Sequence, residues 1–161
     1  KNLENIVVVA TDAGSSKKAY KYSHFFDCPL ALIDKRREDN NDKAVATNII
    51  GDIKGKTALI FDDEVSTAGT LVEAANILKE NGAKEIYAGV AHGVLVGPAI
   101  ERIQKSEIEQ LVVTNTIALP EEKKIDKIVE LSVAPLIGEA IVCVYEDRSV
   151  SSLFNWLRHV L

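Results

Sequence analysis

Two kinds of segment alternate along the chain: short unbroken apolar runs, and longer stretches with helical spacing. Ile6–Ala10 contains no polar residue, which suits a strand covered on both faces. Ser15–Phe26 reads as a helix that ends before Asp27 and Pro29, and Leu30–Ile33 as a second strand. Residues 35–48 are dense in charge and Asn, and read as a mobile loop or an exposed hairpin. Thr57–Phe61 is the next buried strand. A helix is expected from Gly69 to Glu80, with Leu71, Ala74, Ala75 and Leu78 on one face. Asn81-Gly82 supplies its stop signal. Then come a strand at Glu85–Ala91, a helix opened by Pro98 and running to about Gln104, and a strand at Leu111–Asn115. A short strand at Ile125–Leu131 and a helix at Ala134–Tyr145 complete the pattern. The tail from Ser149 carries the only Trp, Trp156, and its pattern does not say what it packs on.

Strand–helix alternation predicts an α/β fold: three layers, α/β/α, around a mainly parallel sheet. At 161 residues the chain has room for one domain, spanning 1–161, with a real core. Ligands of such sheets bind beyond the carboxyl ends of the strands. The loops after Ala10, Ile33, Phe61 and Ala91 are therefore the ones to inspect.

Composition narrows the function classes. Hydrophobic residues make up 47% and charged residues 27%, with a net charge of −5. That balance fits a globular protein and argues against broad electrostatic binding to nucleic acid or anionic membrane. The longest apolar stretch, Val133–Tyr145, is interrupted by Glu139 and is too short to span a bilayer. Cys28 and Cys143 lack metal-type spacing and read as core residues in a reducing, cytoplasmic setting. The chain begins with Lys1 rather than Met, as a fragment or processed product does.

The loop after Phe61 carries most of the chemistry. Asp62 and Asp63 close an apolar strand. Two adjacent carboxylates need partners, and the hydroxyls of a sugar diol can each donate to one. Ser66, Thr67, Ala68, Gly69 and Thr70 then turn into a helix, where free amides, hydroxyls and the helix dipole favour a phosphate dianion. Gly69 lets the phosphate approach the backbone. Each feature alone is also explained by an N-cap at Ser66 or Thr67 and by first-turn acids. Their combination after an apolar strand favours a sugar-phosphate site, which the resemblance below narrows to ribose 5-phosphate.

The segment Phe61–Thr70 resembles the phosphoribosyl diphosphate motif of type I phosphoribosyltransferases. Nearly the whole chain resembles the carboxyl-terminal half of the ribose-phosphate diphosphokinase (PRPP synthetase) family. The matching stretches include Leu32–Arg37, Asn48–Asp52, Asp62–Thr70, Gly97–Ile103, Leu111–Thr116, Leu131–Leu136 and Ser149–Phe154. The resemblance implies a type I phosphoribosyltransferase-like fold. It also implies a parent enzyme that transfers diphosphate from Mg-ATP to ribose 5-phosphate, with Mg²⁺ as cofactor. Members of the family form hexamers built on dimers, so self-association is implied as well. An amino-terminal half, which in the family holds much of the ATP site, is not in this chain, and the chain alone is expected to be inactive.

By the same resemblance Lys35 and Arg37 are the catalytic pair of a flexible loop, with Arg36 between them. Charges of this kind can close over reacting phosphates and exclude water. Without the resemblance, the run reads as solvated surface charge balanced by Glu38, Asp39 and Asp42. Asp12 follows the first strand and is placed to bind Mg²⁺ that bridges ATP phosphates, or else to cap the next helix. Two departures stand out: Thr11 replaces the family's Pro beside Asp12, and Ser66 stands where many members have Asp. These departures leave a non-catalytic regulatory paralogue open as an alternative, and the shared phosphate loop leaves a base phosphoribosyltransferase open as another. No chemistry is assigned to His24, His92 or His159.

Overall fold

A computed structural model describes residues 3–36 and 46–153. Its elements in chain order are β1 (Ile6–Ala10), α1 (Ser16–Phe25), β2 (Leu30–Arg36), β3 (Ala46–Ile50), β4 (Thr57–Val65), α2 (Gly69–Glu80), β5 (Glu85–Gly93), α3 (Ala99–Lys105), β6 (Gln110–Thr114), β7 (Ile128–Leu131) and α4 (Ala134–Tyr145). Arg37, Trp156 and His159 lie outside the described residues.

The seven strands form one sheet in the order β3-β2-β1-β4-β5-β6-β7. β3 joins β2 antiparallel, and every other neighbouring pair is parallel. The unbroken apolar runs are explained by cover on both faces. On β1, Val7 and Val9 enter the larger core under α2 and α3, while Val8 and Ala10 enter the smaller core under α1. In that smaller core Phe61 stacks on Tyr22 at 4.3 Å and on Phe26 at 5.7 Å between ring centroids. Gly89 faces Phe61 across β4 and β5, where an added Cβ would sit 3.2 Å from the ring.

The expected helix bounds at Gly69–Glu80 and Ala134–Tyr145 coincide with α2 and α4. Three strands run further than their apolar runs predict, β5 continuing past Ala91 to Gly93 beside β4. β2 continues past Ile33 to Arg36, because β3 returns alongside it and pairs Lys35 with Thr47 and Arg36 with Ala46. The hairpin reading of residues 35–48 therefore holds for both arms. β4 continues through Asp62, Asp63 and Glu64 to Val65, because β5 pairs with it that far. At β2 and β4 backbone partners extend a strand that side-chain polarity would have ended.

Candidate functional site

Successive connections leave β1 and β4 in opposite directions. β1 passes through α1 to β2, and β4 passes through α2 to β5, although β1 and β4 are neighbours. Such a switch point opens a crevice beyond the carboxyl ends of the two strands. A cleft of about 280 Å³ lies there, lined by Thr11 from the end of β1 and by Asp62, Glu64 and the stretch Val65–Leu71 from β4 and its loop.

The loop after β4 is braced from one side only. The amides of Val94 and Leu95 donate to the Val65 carbonyl at 3.0 and 3.1 Å, and the Val96 amide donates to the Ser66 carbonyl at 3.0 Å. Arg102, from α3, donates through Nη1 to the Thr67 carbonyl at 3.0 Å. The Ala68 carbonyl accepts the Val72 amide at 3.0 Å as the first turn of α2. The amides of residues 66–70 have no acceptor among the described residues. With its carbonyls held from behind, the loop presents its amides at a helix N-terminus, which is the arrangement that binds a phosphate dianion.

Local conformation fixes that arrangement. Ala68 sits at the N-cap position with φ 59°, and no side chain caps the helix. The alternative reading of Ser66 or Thr67 as an N-cap is not realised, so both hydroxyls remain available to a ligand. A left-handed non-glycine residue is uncommon, and Ala68 is also buried. The turn falls on Ala68, not on Gly69. Gly69 serves a different need: a Cβ there would lie 3.3 Å from Nη1 of Arg102.

The acid pair has a resident cation that the sequence pattern did not reveal. Lys18, on α1, reaches Asp62 Oδ1 at 3.2 Å and Asp63 Oδ2 at 2.7 Å. The hydrogen bond to Asp63 raises the Lys18 ammonium above the usual lysine pKa, against the opposing effect of desolvation. Asp62 Oδ1 also accepts the Asp63 amide at 2.8 Å. Lys18 and Arg102 join the acid pair and the phosphate loop across 44 and 35 residues of sequence, so local spacing could not have signalled either.

Asp12 sits at the mouth of α1. Its Oδ1 accepts the Ser15 amide at 2.7 Å, while Ser15 Oγ donates back to the Asp12 carbonyl at 3.0 Å. Asp12 thus holds the turn that leads into α1, whose N-cap position is Ser15, through one carboxylate oxygen. Among the described residues no group of three or more His, Cys, Asp or Glu side chains could hold a metal by itself. Lys35 lies on β2 at the same end of the sheet, and Arg37 is outside the described residues. His92 bonds through Nδ1 to Thr116 Oγ1 at 2.8 Å, tying the ends of β5 and β6 together. No helix among the described residues is long and apolar enough to cross a membrane.

Known proteins share both sequence and fold with this chain. Ribose-phosphate pyrophosphokinase of Corynebacterium ammoniagenes is 61% identical over 155 residues, which cover 96% of this chain and 49% of that protein. The Bacillus subtilis protein of the same name is 55% identical over the same coverage. The chain therefore spans about half the length of the curated relatives it matches. The crystal structure of phosphoribosylpyrophosphate synthetase from Mycobacterium smegmatis superposes with a TM-score of 0.81 at 36% identity, covering 89% of this chain and 46% of that one. Orotate phosphoribosyltransferase from Aeropyrum pernix shares the fold alone, with a TM-score of 0.53 at 16% identity over 84% of this chain and 66% of that one. The fold is thus the type I phosphoribosyltransferase-like one that the resemblance implies. Residues 41–155 match the family described as the phosphoribosyl synthetase-associated domain, and to that family the chain belongs.

Proposed function

We propose that this chain is the ribose 5-phosphate-binding half of a ribose-phosphate pyrophosphokinase, whose other half completes the ATP site. The observation that carries the reading is the one-sided loop: carbonyls braced from behind, and the amides of residues 66–70 without acceptors beside an acid pair. Ser66, Thr67, Ala68, Gly69 and Thr70 hold the 5-phosphate through backbone amides and hydroxyls. Asp62 and Asp63 accept the ribose hydroxyls.

In the parent enzyme the anomeric hydroxyl oxygen attacks the β-phosphorus of ATP in line. A new oxygen–phosphorus bond forms, and the bond from the β-phosphorus to the oxygen bridging it to the α-phosphorus breaks. AMP leaves with that electron pair, and the hydroxyl proton passes to solvent. Lys35 and Arg37 place positive charge around the transferred diphosphate and exclude water, which is where catalysis of phosphoryl transfer resides. Asp12 would hold Mg²⁺ through its second carboxylate oxygen; the ion offsets the charge of the ATP phosphates when bound. A cytoplasmic homo-oligomer, with no role for nucleic acid or membrane, completes the proposal.

The test joins this chain to its missing half, as in the relatives of twice its length, and measures AMP formation from Mg-ATP and ribose 5-phosphate. Activity that falls by about 10²-fold or more in Lys35→Ala is expected, the usual cost of losing a charge aimed at a transition state. A folded, complete protein that makes no AMP would sink the enzyme reading and favour the regulatory paralogue.

A further inference from the structure

Asp62 and Asp63 are adjacent, like-charged and largely exposed, with side chains 53% and 78% accessible. Left alone, two such carboxylates repel and rotate apart. Lys18 prevents this from a separate helix, bonding Asp62 Oδ1 and Asp63 Oδ2 together. Asp62 Oδ1 is further fixed by the Asp63 amide at 2.8 Å. Asp62 Oδ2 and Asp63 Oδ1 have no bond to any described residue.

We propose that Lys18 is a specificity-determining positioning residue: by pinning one oxygen of each carboxylate it leaves the other two as a fixed pair of acceptors, and this makes the site selective for a phosphorylated ligand bearing a vicinal diol. The proposal rests on the ribose 5-phosphate reading and adds to it the element that reads the diol. A carboxylate has two acceptor oxygens. When the ammonium and the amide occupy one on each side, the two hydroxyls of a cis-diol can each donate to one of the remaining pair. The ammonium also offsets the repulsion between the two acids. Exposed ion pairs add little to folding stability, so the effect of Lys18 belongs in ligand selectivity. It acts through Asp62 and Asp63 and need not touch the phosphate, which the loop at residues 66–70 holds.

The test uses this chain and three probes, ribose 5-phosphate, 2-deoxyribose 5-phosphate and inorganic phosphate, titrated by NMR so that weak binding is read. Wild type is expected to favour the ribose over the deoxyribose compound by about tenfold, the value of one charge-assisted hydrogen bond. In Lys18→Met the ratio should fall close to one, while inorganic phosphate, which the loop at residues 66–70 holds and Lys18 does not bond, binds within about twofold of wild type. Lys18→Arg should recover most of the selectivity, because a guanidinium can also bridge two carboxylates. Retained phosphate binding in Lys18→Met reports an intact loop and separates this effect from misfolding. A Lys18→Met protein that keeps the wild-type ratio overturns the proposal and leaves the acid pair intact as the ribose site. A wild-type chain that binds both phosphosugars equally overturns the acid-pair reading, and the role of Lys18 with it.

Discussion

Helices α2 and α4 each run for 12 residues, and their bounds were plain from the sequence, yet they meet very different surroundings. α2 is apolar on one side. It buries Leu71, Ala74, Ala75 and Leu78 against the sheet and turns Glu73, Asn76, Lys79 and Glu80 away from that core. α4 is apolar nearly all round, and among its residues only Cys143 is buried. Ile141, Val144 and Tyr145 are 64%, 67% and 89% exposed. A helix with apolar residues on every side is ordinarily an interior helix. The difference teaches that periodicity gives a helix its limits, whereas burial depends on what else is present. α2 is finished by this chain, and its first turn builds the phosphate cradle. α4 is not covered by the described residues.

The largest effect should come from removing the anchor of α2. Leu78 is fully buried, so Leu78→Ala should cost about 2–5 kcal/mol of unfolding free energy, measured by urea denaturation. Next is the acid pair that precedes the α2 turn: Asp62→Ala should weaken ribose 5-phosphate binding by about 1.5–3 kcal/mol in calorimetry, with little change in melting. Unchanged affinity in both Asp62→Ala and Thr70→Ala would contradict the site. Arg102→Ala removes the bond to the Thr67 carbonyl, and a loss of about 1 kcal/mol in phosphate affinity is expected, partly recovered by Arg102→Lys. The smallest effect belongs to α4. Ile141→Ser and Val144→Ser should each shift the stability of this chain by no more than about 0.5 kcal/mol. A loss as large as that of Leu78→Ala would show that α4 is covered after all, and the contrast between the two helices would fall.

The sequence made the fold legible wherever an element's apolar residues are those that it buries. β1, α2 and the central strands follow this rule. It fails at the carboxyl end of β4, where exposed Asp62, Asp63 and Glu64 remain in a strand through pairing of Asp62 with Val90 and Glu64 with His92. It fails again at β2, whose charged end pairs with β3. The phosphate loop was legible because acids, hydroxyls and glycine lie side by side in the chain. The left-handed turn at Ala68 was not, since nothing in an alanine announces that conformation. Lys18 and Arg102 were also hidden. On their own helices they are ordinary surface cations, and only the crossovers of the sheet bring them to the loop after β4.

β4 lies between β1 and β5, paired with β1 over Thr57–Ile60 and with β5 as far as Val65. The amides of Thr57–Ile60, flanked on both sides and buried, therefore belong to the part of the molecule that exchanges with solvent deuterium only on global opening. The residues that follow β4, 66–70, have amides without acceptors. Exchange should thus quicken along β4 from Ile60 towards the loop. Occupancy of the cradle should be recorded as a protection step confined to residues 66–70, with the strand beside it serving as an internal clock.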